Sequence, residues 1–153
     1  MKKMAWVVVV AVAFVGFGAW YGYRGVPKTH PARILDVNGT QIKAEFVSSP
    51  ADIQQGLSDR ESMPRDQGML FELGFRDFHT FWMNRMHFPL DIIWIDGNTV
   101  VDIAENLPAP KFGEIPYTYT PKAEADTVLE VNAGVVAETK LQVGDEIGGL
   151  TKR

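Results

Sequence analysis

The chain has 153 residues, a length that suits one domain of ordinary size with a short additional segment. It contains no cysteine, which excludes disulfide bonds, thiolate catalysis and a lipidated cysteine. Residues 1–26 carry three basic and no acidic residues, whereas the rest of the chain carries 12 basic and 19 acidic residues, a net charge of −7. This acidic balance argues against a nucleic-acid partner, which requires a basic surface.

Residues 4–20, MAWVVVVAVAFVGFGAW, form an uncharged run that predicts one N-terminal transmembrane helix. Its 17 residues lie at the short end of what crosses a bilayer, where roughly 20 is typical. Lys2 and Lys3 precede the run and favour a cytoplasmic N-terminus. A cleaved signal peptide is the alternative, with Gly16 and Gly18 as small residues before a cut. The bulky aromatic residues that follow favour an uncleaved anchor, and both interpretations export the remainder of the chain.

The sequence divides into three parts. We predict a membrane anchor, or uncleaved signal, over residues 1–24, a linker over residues 25–32 and one globular domain over residues 33–150. The linker contains Gly, Pro and polar residues with little apolar pattern.

The domain begins with a predicted hairpin and a short helix. Asn38-Gly39 is a strong signal for a tight type I′ turn, and apolar residues alternate with polar ones over residues 41–46. Ser49 suits the N-cap of the helix that follows, and Gly56 suits its end.

The remaining elements are mostly strands. Strands are predicted over residues 69–73, 78–83, 90–96, 99–106 and 127–134, a short helix within 133–140, and a turn and last strand within 141–147. Four prolines punctuate a long loop from about residue 106 to residue 125, and loops of this length are often functional. The pattern predicts an α+β, mainly antiparallel β, small barrel-like domain with two short helices, preceded by the transmembrane helix.

Six short motifs in the domain resemble, in the same order, the bacterial and archaeal family called domain of unknown function 192. They are GLSDR (56–60), GMLF (68–71), FWM (81–83), PLDIIWID (89–96), VLEVNAG (128–134) and VGDEI (143–147). The resemblance implies a small, mainly β domain that is frequently exported or membrane-anchored, and it implies no established activity. Many relatives carry Lys-Asn after the Trp-Met, where this chain has Asn84-Arg85, which leaves the direction of the positive charge open.

Asp91 is a carboxylate inside a predicted apolar strand. Strand alternation puts its side chain on the same face as Ile93 and Ile95. An unpaired carboxylate on a buried face would cost several kcal/mol, so it must be paired, protonated or bound. The structural interpretation is that it accepts backbone N–H groups or meets Arg60 or Arg85. The functional interpretation is that it lies at the floor of a pocket.

Glu130 has a similar setting in the strand VLEVN, where it shares a face with Val128 and Asn132. Either this face is exposed and polar, or Glu130 pairs with Asp91 across the domain. Two facing carboxylates could perform acid–base catalysis on a glycosidic bond, which makes Asp91 and Glu130 the candidate catalytic residues.

Trp82 and Asn84 share a face of the strand that contains FWM. Aromatic residues with strand alternation usually belong to the core, but a Trp beside an Asn could also line a groove for sugar or peptide. His79 and His87 are eight residues apart, which is no usual ligand spacing, so we predict no metal and no cofactor.

The sequence favours a membrane-anchored, extracytoplasmic module of the cell envelope that binds a ligand or partner over an enzyme. Its predicted ligand-binding residues are Arg60, Trp82, Asn84, Asp91, Glu130 and Asn132. Arg60 would hold an anion or orient Asp91, Trp82 would stack, and the carboxyl groups would accept hydrogen bonds. The partner would be an envelope glycan, peptide or protein, and residues 4–20 would contact the membrane. An envelope hydrolase that uses Asp91 and Glu130, and a purely structural module, are the alternatives.

Overall fold

The computed structural model describes residues 30–150. This part of the chain is mostly strands, with one short helix after the second strand and another before the last. The strands are β1 (Ala32–Val37), β2 (Thr40–Val47), β3 (Gln67–Asp77), β4 (Phe81–Trp82), β5 (Leu90–Asp96), β6 (Thr99–Leu107), β7 (Thr118–Tyr119), β8 (Ala125–Asn132) and β9 (Ile147–Gly148). The helices are α1 (Pro50–Gln55) and α2 (Val135–Thr139). The predicted α+β class with two short helices is confirmed.

The transmembrane helix predicted at residues 4–20 lies outside the described residues. Within residues 30–150, no helix has both the length and the apolar character to cross a membrane. The first strand begins at Ala32, one residue before the predicted start of the globular domain.

Seven strands form one sheet in the order β6-β5-β8-β3-β2-β1-β9. Neighbouring strands are antiparallel except β2 and β3, which are parallel and are connected through α1. The sheet curls so that β6 meets the chain just before β9. The Val100 N–H donates to the Asp145 carbonyl at 2.8 Å, and the Ile147 N–H donates to the Asn98 carbonyl at 2.9 Å. The predicted barrel-like domain is therefore a half-barrel whose edges meet at one end.

Local sequence explains the first turn and the first helix. Asn38 and Gly39 both have positive φ angles, 48° and 83°, as a type I′ turn requires. The hydroxyl of Ser49 accepts the N–H of Asp52 at 3.2 Å and caps α1, and Gly56 ends the helix with a φ of 50°. Both predictions are confirmed.

Apolar side chains cover both faces of the sheet around β5, which explains why this strand is apolar almost throughout. One core contains Ile93, Ile95 and Val131, and the other contains Ile92 and Trp94. A strand buried on both faces has no polar side to expose, so its sequence does not alternate. The two faces matter for the site because successive residues of a strand enter different cores.

Strands β4 and β7 form a separate two-stranded ribbon, in which Phe81 pairs with Tyr119 and Trp82 pairs with Thr118. The strand predicted over residues 78–83 is thus reduced to two residues. In this ribbon Phe81 turns toward the core, whereas Trp82 is 50% exposed. The ribbon therefore presents an indole ring at the surface.

Candidate functional site

Asp91 is fully buried, and two backbone N–H groups satisfy its carboxylate. Its Oδ1 accepts the N–H of Asn106 at 2.8 Å, and its Oδ2 accepts the N–H of Val136 at 2.9 Å. Asn106 has a positive φ of 54° beside an irregularity in the β5–β6 pairing, which turns its N–H toward the side chain. Val136 lies in the first turn of α2, whose N–H groups lack partners within the helix. Asp91 thus accepts backbone N–H groups, as its structural interpretation predicted.

The prediction that the carboxyl groups of Asp91 and Glu130 face each other is wrong. In the β5–β8 ladder Asp91 pairs with Val131, and Ile92 pairs with Glu130. Because paired residues share a face and successive residues alternate, Asp91 and Glu130 point to opposite faces of the sheet. They cannot flank one substrate, so a hydrolase that uses them as acid and base is not supported.

Among the buried carboxyl groups of residues 30–150, Glu130 is the one whose charge is least compensated. It is only 5% exposed, and it lies between Met69 and Ile92 on the neighbouring strands. Within residues 30–150 it has no hydrogen-bond partner, and only the charge of Arg60 favours its ionised form. Burial therefore raises the pKa of Glu130 to about 8. The alternative prediction, that Glu130 lies on an exposed polar face of its strand, is wrong.

Glu130 lines a pocket of about 200 Å³, here called the Glu130 pocket. Its other walls come from α1 and the turn after it, from β3 and β4, and from Met86. Trp82 and Phe81 contribute to the wall formed by β4. The lining residues are Ile53, Gln54, Gln55, Gly56, Leu57, Ser58, Phe71, Thr80, Phe81, Trp82, Met86 and Glu130. The structure thus brings two of the predicted site residues, Trp82 and Glu130, to one pocket.

Hydrogen bonds between two turns fix the rim of the Glu130 pocket. The hydroxyl of Ser58 donates to the carbonyl of Asn84 at 2.8 Å. The Arg85 guanidinium binds both carboxylate oxygens of Asp59, at 2.9 and 3.1 Å, and this holds the pKa of Asp59 below its ordinary value. The positive charge of the Asn84-Arg85 pair is therefore directed at Asp59. Asn84 serves the rim through its backbone and also lines a neighbouring surface depression with Trp82.

Arg60 pairs with Glu45. The prediction that Arg60 orients Asp91 is therefore wrong. Its two terminal nitrogens bind the two carboxylate oxygens of Glu45 at 2.5 and 2.8 Å. This bidentate contact lowers the pKa of Glu45 and raises that of Arg60. The pair lines an open depression of about 710 Å³ that shares Gln55, Gly56 and Ser58 with the Glu130 pocket.

Asn132 lies two residues beyond Glu130 on β8 and holds another loop. Its side-chain amide donates to the carbonyls of Met63 and Pro64, at 3.1 and 3.0 Å. The predicted ligand-binding set is thus divided. Trp82 and Glu130 share the pocket, Arg60 and Asn84 lie beside it, and Asp91 and Asn132 bind backbone elsewhere.

Ser58 and Glu45 belong to this region but were missed as site residues. The local pattern around Ser58 indicates only the turn that follows a helix, and Glu45 alternates as an ordinary exposed strand residue. Ser58 lies within the motif GLSDR, which was the one signal that could have drawn attention to it.

A different cavity of about 370 Å³ lies where the half-barrel closes. It includes Asn98, whose side-chain oxygen is buried without a partner within residues 30–150. A neutral amide loses only its hydrogen bonds on burial, whereas Glu130 is also kept from ionising at its ordinary pKa, so Glu130 marks the stronger candidate site. No group of three or more His, Asp and Glu side chains in the described part of the chain is arranged to hold a metal ion.

The comparisons agree with the fold. The family model of domain of unknown function 192, described as an uncharacterized ACR, matches residues 33–149. The chain belongs to this family. No curated protein matches the chain. Membership in domain of unknown function 192 therefore assigns a fold without an activity.

Two crystal structures resemble the chain. One, described as a proposed transcription regulator from Sinorhizobium meliloti 1021, has a TM-score of 0.69 and 28% identity, and covers 81% of this chain and 98% of that one. The other, a protein of unknown function from Novosphingobium aromaticivorans DSM 12444, has a TM-score of 0.66 and 29% identity, and covers 81% of this chain and 93% of that one.

Proposed function

We propose that this member of domain of unknown function 192 is a ligand-binding module and that the Glu130 pocket is its binding site. The observation that carries the proposal is a buried carboxyl group that lines an accessible pocket and has no hydrogen-bond partner within the described residues. A carboxyl group in this state is costly unless a ligand uses it.

The contrast with Asp91 supports this assignment. Both carboxyl groups are buried in the same sheet, but Asp91 is satisfied by two backbone N–H groups. A carboxylate that stabilises the fold is expected to have such partners. Glu130 lacks them and lines the same pocket as the half-exposed indole of Trp82, a combination typical of a recognition site.

The test is a ligand screen by thermal denaturation of the full chain in detergent, against envelope glycans, peptides and small amines. A ligand that binds the native state raises the melting temperature. We expect the shift to disappear in Glu130→Gln and to shrink in Trp82→Ala. The matched controls are Glu105→Gln and Phe112→Ala, which remove an exposed carboxylate and an exposed aromatic ring outside the pocket. Shifts that persist in both pocket variants would place the ligand elsewhere and contradict the proposal.

The proposal includes a location outside the cytoplasm, with residues 4–20 as the membrane anchor. The uncharged run and the two lysines before it support this orientation. Alkaline phosphatase, which is active only after export, fused after Arg153 tests it. Active phosphatase in the membrane fraction would support the anchored, exported domain, and an inactive fusion would contradict it.

The description of the Sinorhizobium meliloti protein as a transcription regulator does not favour a nucleic-acid role for this chain. After residue 26 the chain carries a net charge of −7. Binding to nucleic acid depends on neutralising phosphates with a basic surface, and this composition lacks the required excess of Lys and Arg.

A further inference from the structure

We infer that the Glu130 pocket takes an organic ammonium group, that is, a protonated primary amine at the end of a short apolar chain. Such a group could belong to a free alkylamine or to a lysine side chain of a partner. This inference rests on the proposed function, because it names the ligand class for the same site.

Charge is the first argument. Glu130 is the one ionisable side chain among the described residues that line the pocket. Arg60 is the cation that acts on Glu130, but its guanidinium is held by both oxygens of Glu45. A bound ammonium would therefore pair with the carboxylate that it helps to ionise, whereas an anionic ligand would have no free lining cation to offset its charge.

The walls supply the second argument. Phe71 and Phe81 meet edge to face, with their ring centroids 5.1 Å apart, and Trp82 and Met86 complete an apolar and aromatic surface. Aromatic faces attract ammonium groups, and they also cover the alkyl chain that carries the charge. The lining thus offers one carboxyl group for the ammonium and apolar walls for the alkyl chain.

The polar side chains of the lining disfavour a sugar. Gln55 donates to the carbonyl of Ser58 at 2.9 Å, and Ser58 donates to the carbonyl of Asn84 at 2.8 Å. The hydroxyl of Thr80 bonds that of Thr120 at 2.8 Å. These three groups already have partners inside the protein, which leaves Gln54 as the other uncharged polar side chain of the lining, and a polyol would need several free ones. A ligand with a single polar end suits the pocket better.

Size points the same way. At about 200 Å³ the pocket is smaller than the roughly 300–1,000 Å³ that holds a drug-sized ligand. It suits one group of the size of an amino-acid side chain.

The protonation of Glu130 makes ammonium binding depend on pH. Burial raises the pKa of Glu130 to about 8, so the ammonium must displace a proton at neutral pH. The amine itself stays charged, because its pKa is about 10.4. Affinity should therefore rise roughly 50-fold from pH 6 to pH 8, as the ionised fraction of Glu130 grows. A neutral ligand that accepts a hydrogen bond from the protonated carboxyl would show the opposite trend.

The test is calorimetric titration of the full chain in detergent with n-butylammonium chloride at pH 6, 7 and 8, with n-butanol as the uncharged control. We expect butylammonium to bind, its affinity to rise with pH, and butanol to bind at least tenfold more weakly. Glu130→Gln should weaken butylammonium binding at least tenfold, and the exposed-carboxylate control Glu105→Gln should leave it unchanged. Equal binding of butanol, or full binding to Glu130→Gln, would overturn the inference.

Two further results distinguish a free amine from a partner's lysine, and a wrong ligand class from a wrong proposed function. Tighter binding of an acetylated and amidated Gly-Lys-Gly peptide than of butylammonium would support a partner's lysine, and the reverse would support a free amine. If butylammonium and the peptide both fail but another ligand from the screen binds in a Glu130-dependent way, the ligand class is wrong and the proposed function survives. If no ligand shows that dependence, both are wrong.

Discussion

Asp91 and Glu130 lie on adjacent strands, offset by one residue in the register, and their carboxyl groups therefore point to opposite faces of the sheet. Asp91 enters the core that α2 covers, where two backbone N–H groups meet it. Glu130 enters the other face and lines a pocket. Two carboxyl groups in similar sequence settings thus have different roles.

Asp91→Asn should destabilise the domain. The substitution keeps one acceptor oxygen and places an amide N–H₂ against the second backbone N–H, in a fully buried site. We expect a loss of about 3 kcal/mol in the free energy of unfolding, measured with urea. The matched control is Asp66→Asn, which changes an exposed carboxylate and should have little effect. An unchanged Asp91→Asn protein would contradict the structural role of Asp91.

Glu130→Gln should stabilise the protein at high pH. Burial raises the pKa of Glu130 to about 8 in the folded state, above the ordinary 4.5. Its contribution is fully present below the ordinary pKa and is lost as the pH rises from there through 8, because the unfolded state then releases its proton while burial holds the proton on the folded state. We expect the stability of Glu130→Gln relative to wild type to increase by on the order of 4 kcal/mol between pH 5 and pH 9. Urea unfolding across this range measures the difference, and a constant difference would contradict the burial of an unpaired carboxyl.

Arg60→Met should raise the pKa of Glu130 further. Arg60 is the residue whose charge lowers that pKa, against the larger effect of burial. The matched variant is Arg85→Met, which removes a guanidinium paired with Asp59 and should leave the Glu130 titration unchanged. Carboxyl ¹³C NMR titration measures both variants. Equal shifts in the two would mean that Arg60 has no specific coupling to Glu130.

Asn132→Ala should loosen the loop that contains Met63 and Pro64. It removes two hydrogen bonds to backbone carbonyls, which we expect to cost about 1–2 kcal/mol. Asn84→Ala is the control, because Asn84 serves the rim through its backbone carbonyl, which alanine retains. Hydrogen exchange of the loop amides and urea unfolding test the pair. Equal stability losses would contradict these different roles.

Much of the fold could be predicted because local rules determine it. Asn38-Gly39 fixed the first hairpin through positive φ angles, and Ser49 with Gly56 bounded α1. The parallel pairing of β2 and β3 could not be predicted in this way. It depends on how α1 carries the chain across the sheet, and no residue of either strand encodes that direction.

The site was harder to predict than the fold. Strand alternation identified Glu130 and Trp82 as candidates, but the face each one occupies depends on the register between strands. Asp91 and Glu130 have equivalent settings in the sequence, and a difference of one residue in the β5–β8 register puts them on opposite faces of the sheet. Ser58 reaches the site only because its turn contacts the turn at Asn84, 26 residues away along the chain.

The most direct test of the Glu130 site is the pKa of this carboxyl group in the full chain. Carboxyl ¹³C NMR, assigned by comparison with Glu130→Gln, follows its titration from pH 4 to pH 10. We predict a midpoint near 8, because the group is buried and the charge of Arg60 only partly offsets that burial. A midpoint near 4.5 would mean that the carboxylate is solvated or paired in solution, and it would contradict the site on which the proposed function rests.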